Sequence, residues 1–204
     1  MRFNSALIVI GIIALAGSPT RAQVEPSTSE TVAYTGLHAA AQRGDLAKIE
    51  QLAAAKADLN ARDGNGRTPL HVASFAKQRD AIRALVKAGA NINLLDKDRY
   101  DGVTIALVAD DEETLRVLLS LGANAKLITS RYDGTALIAA AHLGHDGVVK
   151  QLIAAGAPPD HINNLHWTAA IEAVVLVHVK SFSFSSPCAM ALWGQSQVQC
   201  QTVR

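Results

Sequence analysis

Apolar and polar residues along this chain follow a helical rhythm delivered in short bursts. Leu46, Ile49 and Leu52 recur at three-residue spacing, and Ala81, Ile82, Leu85 and Val86 form a comparable stripe further on, as do Val148, Val149, Leu152 and Ile153. Such spacing puts one apolar face on a helix. The bursts come in pairs, each roughly 8 to 11 residues long; the first pair is Gly36–Arg43 and Leu46–Ala54. Gly44 and Gly144 fall between paired helices and Gly89, Gly122 and Gly156 after the second helix of a pair. A glycine there lets the chain turn through positive φ. Helices this short are marginal alone in water, so each pair must bury its stripe against a neighbouring pair.

The pairs are copies of one unit. Aligned on Thr35, Thr68, Thr104, Thr135 and Thr168, the intervals are 33, 36, 31 and 33 residues. The first unit opens Thr-Gly-Leu-His-Ala-Ala and the second Thr-Pro-Leu-His-Val-Ala. Units one to four close on Lys56-Ala57, Gly89-Ala90, Gly122-Ala123 and Gly156-Ala157. The threonine is expected to cap the first helix, and Pro69 suits its first turn. On this alignment unit two carries three extra loop residues and unit three is three short. The period, opening and closing turn together resemble the ankyrin repeat family over residues 35–176. The resemblance implies an all-α solenoid of helix-turn-helix units with projecting β-turn loops, four repeats plus a partial fifth. It also implies a structural role for His38 and His71, which would bridge loops.

The ends read differently. Residues 1–22 begin with a basic residue, continue through an apolar run too short to span a bilayer with ease, and end in Thr-Arg-Ala before Gln23. This is the layout of a secretory signal peptide cleaved after Ala22, which predicts a periplasmic or secreted protein. An uncleaved anchor is the alternative. Residues 23–34 are polar and rich in Ser and Thr, as in a flexible lead-in. From Ala173 onward the chain has no Asp or Glu, and both cysteines, Cys188 and Cys200, fall there. Residues 177–204 are therefore a divergent tail, either a frame-shifted end or a genuine cap. A solenoid end left uncapped predicts self-association.

Charge narrows the partners. Removing Arg2 and Arg21 leaves 17 basic against 18 acidic residues, too even for a nucleic-acid surface. No catalytic motif is present, and no cofactor or metal is expected. His142, His145, His161 and His166 match no ligand spacing. The run 96–102, with Asp96, Asp98 and Asp101, departs from a calcium loop at its third acid. Asp110, Asp111, Glu112 and Glu113 read as a solvated helix start.

Arg-Tyr-Asp-Gly occurs twice, at 99–102 and 131–134, both in loops ahead of a repeat. Arg99, Tyr100, Arg131, Tyr132 and Trp167 are thus expected to form a ladder along one edge of a concave face. Arg, Tyr and Trp are the residue types that dominate binding hot spots. Phe75 and His142 join them from variable positions on the first helices. The expected function is non-enzymatic: binding one protein partner through loop tips and the concave helix face. The alternative is a structural or protective envelope protein without a single tight partner.

Overall fold

The computed structural model describes residues 25–130 and 132–182, with the backbone alone from 176. A short helix α1 (Thr28–Ala33) leads into four helix pairs: α2 (Gly36–Arg43) with α3 (Leu46–Ala54), α4 (Pro69–Phe75) with α5 (Arg79–Ala88), α6 (Gly102–Val108) with α7 (Glu112–Ser120), and α8 (Ala136–Leu143) with α9 (Asp146–Ala154). A two-stranded ribbon, β1 (Ile128–Thr129) and β2 (Gly134–Thr135), precedes α8, and α10 (Ala169–Phe182) opens the fifth unit. First helices pack on first helices down the stack, and second helices on second helices. This is the all-α repeat solenoid expected from the pattern.

Local chemistry sets the helix starts. Thr68 and Thr135 accept the backbone N–H three residues on, and Pro69 opens α4. In unit three, however, the cap is Asp101, whose carboxylate takes both the N–H and the hydroxyl of Thr104. Thr104 stands where His38 and His71 stand, so the alignment on Thr104 was three residues out. Counted from cap to cap (Thr35, Thr68, Asp101, Thr135, Thr168), the units run 33, 33, 34 and 33 residues. Unit two has no long loop and unit three no deletion. The one additional residue lies before Thr135, where the β1–β2 ribbon forms.

That register accounts for the core. Leu37, Leu70, Val103 and Leu137 share one position and are all buried; so do Ala41, Ser74, Leu107 and Ala141. On the second helices Ile49, Ile82 and Leu115 likewise share a position and show no exposure, while in unit four the fully buried residue is Val148, one place earlier. Small side chains at the shared positions, four of them alanine in the α8 helix alone, let first helices approach closely.

Gly44 and Gly144 close their helices at positive φ, as expected, but the same place in units two and three is taken by Lys77 and Asp110, also at positive φ. Lys56 likewise stands where Gly89, Gly122 and Gly156 do. A side chain in the left-handed region is strained. Lys56 is exposed, so Lys56→Gly is expected to raise the unfolding free energy by about 0.5–1 kcal/mol. A urea midpoint that stays put or falls would contradict this reading.

Two sequence expectations change. Residues 28–33 form a helix, not an irregular lead-in, because Ser27 and Glu30 make a reciprocal capping box. Glu30 also reaches Arg67 at 3.5 Å and the Asn65 amide, tying this helix to the first loop. The acidic run is not simply solvated. Asp111 and Glu113 both hold Arg79 of the preceding unit, at 3.0 and 2.9 Å. Asp110 meets His145, and Glu112 accepts from Gln151, both in the following unit. The run rivets three units together. Residues 1–22, read above as a signal peptide, and most of the tail, with Cys188 and Cys200, lie outside the described residues.

Candidate functional site

The loops between units share one construction. Asp63 accepts the N–H groups of Asn65 and Arg67, Asp96 those of Asp98 and Tyr100, and Asn163 those of Leu165 and Trp167. A side chain that satisfies two N–H groups of its own loop holds a tight turn. Asp96 thus accepts from its own loop backbone, and Asp101 caps α6. Burial pushes both carboxyls above their ordinary value, against the hydrogen bonds they accept. In the third loop Ser130 does the same work less fully, accepting from Tyr132 at 3.3 Å.

Backbone bonds join neighbouring loops. Lys97 N–H donates to the Asn65 carbonyl, Ser130 to Arg99 and Asn164 to Tyr132, at 3.0 to 3.2 Å. Histidines add a second tie in the first half of the stack. His38 Nε2 lies 3.0 Å from the Arg67 carbonyl and His71 Nε2 3.0 Å from that of Tyr100. This is the bridging expected of them.

The register redistributes the expected ladder. Tyr34, Arg67, Tyr100, Gly134 and Trp167 are equivalent, each directly before a cap. Tyr100 and Trp167 thus do stand in line, both half-buried. Tyr132 does not stand with them: it occupies the tip position, with Asn65, Asp98 and Leu165. The two Arg-Tyr-Asp-Gly copies are therefore not equivalent. Arg99 occupies the left-handed position also taken by Gly66, Asp133 and His166, and its guanidinium holds Asp133 of the next loop at 3.1 Å. Arg131 lies outside the described residues. Phe75 and His142 do share a position, two units apart. Phe75 is half-buried beneath the Arg67 guanidinium, 5.5 Å from its centroid. His142 is exposed, with Nδ1 2.8 Å from the buried Glu172 carboxylate of α10.

What the sequence reading missed is the apolar character of the later tips. Tyr132 and Leu165 are 46% and 52% exposed, and the flanking Ile128 and Ile162 43% and 59%. The equivalent tips in the first two loops are Asn65 and Asp98. The tip pair is continuous, because the Asn164 N–H bonds the Tyr132 carbonyl at 3.0 Å. The missing signal was the turn residue: once Asp63, Asp96, Ser130 and Asn163 are aligned, Leu165 falls opposite Tyr132.

Among the described residues no three His, Cys, Asp or Glu side chains gather as a metal site. His145 and His161 are instead directed to Asp110 and to the Asp133 carbonyl. A cleft of about 330 Å³ between α5 and α7 is lined by Arg79, Arg83, Glu113 and Arg116, but Arg79 is already engaged. No helix of the described residues is long and apolar enough to cross a membrane.

Residues 13–96 match the family model of ankyrin repeats in three copies, and residues 132–164 match that of a single ankyrin repeat. No curated protein matches the chain. Unit three lies between the two matched stretches, where Asp101 replaces the threonine of the opening motif.

Proposed function

Because the chain belongs to the ankyrin repeat family, whose members generally mediate protein–protein interaction, we propose that it is a non-enzymatic binding module acting in the bacterial periplasm. It holds its partner through the later loop tips and the adjoining ends of the first helices. The observation that carries this reading is the apolar tip pair Tyr132 and Leu165, flanked by Ile128 and Ile162, on loops whose backbones are bonded to each other. Exposed apolar side chains grouped on a rigid edge lose little entropy on binding, and an aromatic at their centre is the usual anchor. Tyr100 and Trp167 stand directly before Asp101 and Thr168 as half-buried rings. Arg99 is less suited to an anchor, since Asp133 already engages it. His142 offers a partner only the side of its ring turned away from Glu172.

Alanine at Tyr100, Tyr132 and Trp167 together is expected to weaken the partner more than tenfold, about 1.4 kcal/mol or more, with the helical circular dichroism unchanged. The measurement is a pull-down from envelope extract with residues 23–204 as bait, followed by titration of the captured protein. Undiminished affinity in the triple variant would remove these rings from the interface. A folded, monomeric bait that captures nothing would favour the protective role instead.

A further inference from the structure

The cleft of about 330 Å³ between the second helices α5 and α7 follows from one repeat position. Counted from the caps, the residue that is Gln51 in unit one and Gln151 in unit four is Ala84 in unit two and Val117 in unit three. Both glutamines reach polar neighbours: Lys48 Nζ donates to Gln51 at 3.0 Å, and Gln151 donates to Glu112 at 3.1 Å across the α7–α9 groove. Ala84 and Val117 are too short to do so, and a hollow remains beside Val117. One end of it is closed by charge. The Arg79 guanidinium there meets the Thr114 hydroxyl, Asp111 and Glu113 at 3.2, 3.0 and 2.9 Å, so two carboxylates neutralise one cation. The other end, one helical turn on, carries Arg83, Arg116 and Ser120. Arg83 meets only Asp80 of its own helix, at 3.2 Å, with the two side chains 51% and 78% exposed. Such a surface pair contributes little. Arg116 is exposed and has no hydrogen-bond or ion-pair partner among the described residues. Glu112, one turn before it, is turned to Gln151 instead.

We propose that this second end of the cleft binds a small organic molecule through one oxyanion group, a phosphate monoester or a carboxylate, held between the Arg83 and Arg116 guanidinium groups. The two arginines occupy the same repeat position on neighbouring helices, so they stand on opposite walls of the groove. Packed helix axes lie ~9 Å apart, a gap that two arginine side chains close on one anion between them. Each planar guanidinium presents parallel N–H groups that match two oxygens of an oxyanion. Lys87, one turn past Arg83, adds positive charge to the same end. The Arg79–Glu113 bridge keeps an anion out of the first turn and so fixes where it sits. Val117, 6% exposed, gives the rest of the ligand an apolar floor, and the cleft has room for more than the anionic group alone. Polar anchors over an apolar floor are the usual make-up of a small-molecule site. The site lies on the second helices and shares no residue with the loop tips, so it stands or falls independently of the partner surface proposed there.

The arginine Nε–H resonances of the full chain report on the contact directly. Inorganic phosphate, phenyl phosphate and succinate are added in separate titrations at constant ionic strength. The expected result is a saturable shift of the Arg83 and Arg116 signals, with Arg99 unmoved on its own loop and phenyl phosphate binding more tightly than inorganic phosphate. Preference for the phosphates over succinate would assign a phosphate monoester, and the reverse a carboxylate. Arg116→Gln, at an exposed position, is expected to leave the far-ultraviolet circular dichroism unchanged and to weaken binding about fivefold or more, as for the loss of one charge-assisted contact. Lys150→Gln, at the same repeat position on α9, is expected to change nothing. Shifts that rise without saturation would overturn the proposal, as would undiminished binding in Arg116→Gln. An equal loss in Lys150→Gln would also overturn it, by showing only the general charge of the face.

Discussion

His71→Ala is expected to cost about 3 kcal/mol of stability. The ring is 1% exposed and works at both ends. Nδ1 accepts the Thr68 N–H at 3.1 Å, completing the capping box of α4, so Nε2 carries the proton given to the Tyr100 carbonyl at 3.0 Å. Leaving the Thr68 N–H without its acceptor costs about 1 kcal/mol. The carbonyl left without its donor and the void left by the ring add about 2 more. The same geometry fixes the pH response. Burial first of all holds His71 below its ordinary value of 6.5, opposed by its bond to Tyr100 and by the charge of Asp101. The folded state therefore keeps the neutral ring while the unfolded chain takes up a proton. Stability is fully present above pH 6.5 and declines as pH falls from there through the lowered folded value. Urea unfolding at pH 7.5 and 5.5 should show a drop in the parent that His71→Ala reduces. An identical drop in both proteins would rule out His71 as its source.

Asp111→Ala is expected to cost about 2–3 kcal/mol, because one carboxylate serves two units. It caps α7 through the Thr114 N–H at 3.0 Å and hydroxyl at 2.7 Å, and it holds Arg79 from the preceding unit. The cap contributes about 1 kcal/mol. The remainder comes from leaving the Thr114 groups and Arg79 without their acceptor. Burial raises the Asp111 carboxyl, but the Thr114 N–H, its hydroxyl and Arg79 together outweigh that and hold it below its ordinary 3.8. Its contribution is thus complete above pH 3.8 and lost as pH falls through the lowered value. Asp111→Asn keeps a good cap and should recover about half of the loss. In a double-mutant cycle with Arg79→Ala the coupling should be about 1 kcal/mol, since the Arg79 side chain is 34% exposed and partly screened. Additive losses would show that the pair is not coupled.

Much of this architecture was legible in the sequence, for reasons that can be named. The helices Gly36–Arg43 and Leu46–Ala54 were readable because an apolar stripe, a glycine stop and a repeat period all agreed. Unit three was misaligned because one helix cap looks like another only in chemistry. Aspartate and threonine both accept the N–H of the third residue, but the eye followed the letter to Thr104. Helix α1 was missed although Ser27 and Glu30 carry a capping-box spacing, because the surrounding composition was weighed above the pair. The function of Asp110 to Glu113 was not legible at all. Their partners lie one unit away on both sides, at Arg79, His145 and Gln151, and spacing alone does not show which exposed charges meet.

The site was legible to a lesser degree. Tyr100 and Trp167 align because they share the position before the cap, while the matching tetrapeptides misplaced Tyr132 by two positions. Leu165 had no motif to mark it; only the hydrogen-bonded turn around Asn163 sets it beside Tyr132.

Among the described residues, the backbone N–H groups that bond across successive loops all point the same way. Lys97, Ser130 and Asn164 donate to the loop before them, and Asn91 and Asn124 donate to the amide oxygens of Asn60 and Asn93. The stack is therefore polar, with unlike ends, and its internal symmetry is a screw. Two copies that met through this pattern would join head to tail, and a screw operation does not close on itself. A dyad would not satisfy it, so such contact would propagate as a fibre. The exposed apolar face of α10 is thus the end from which such a polymer would grow.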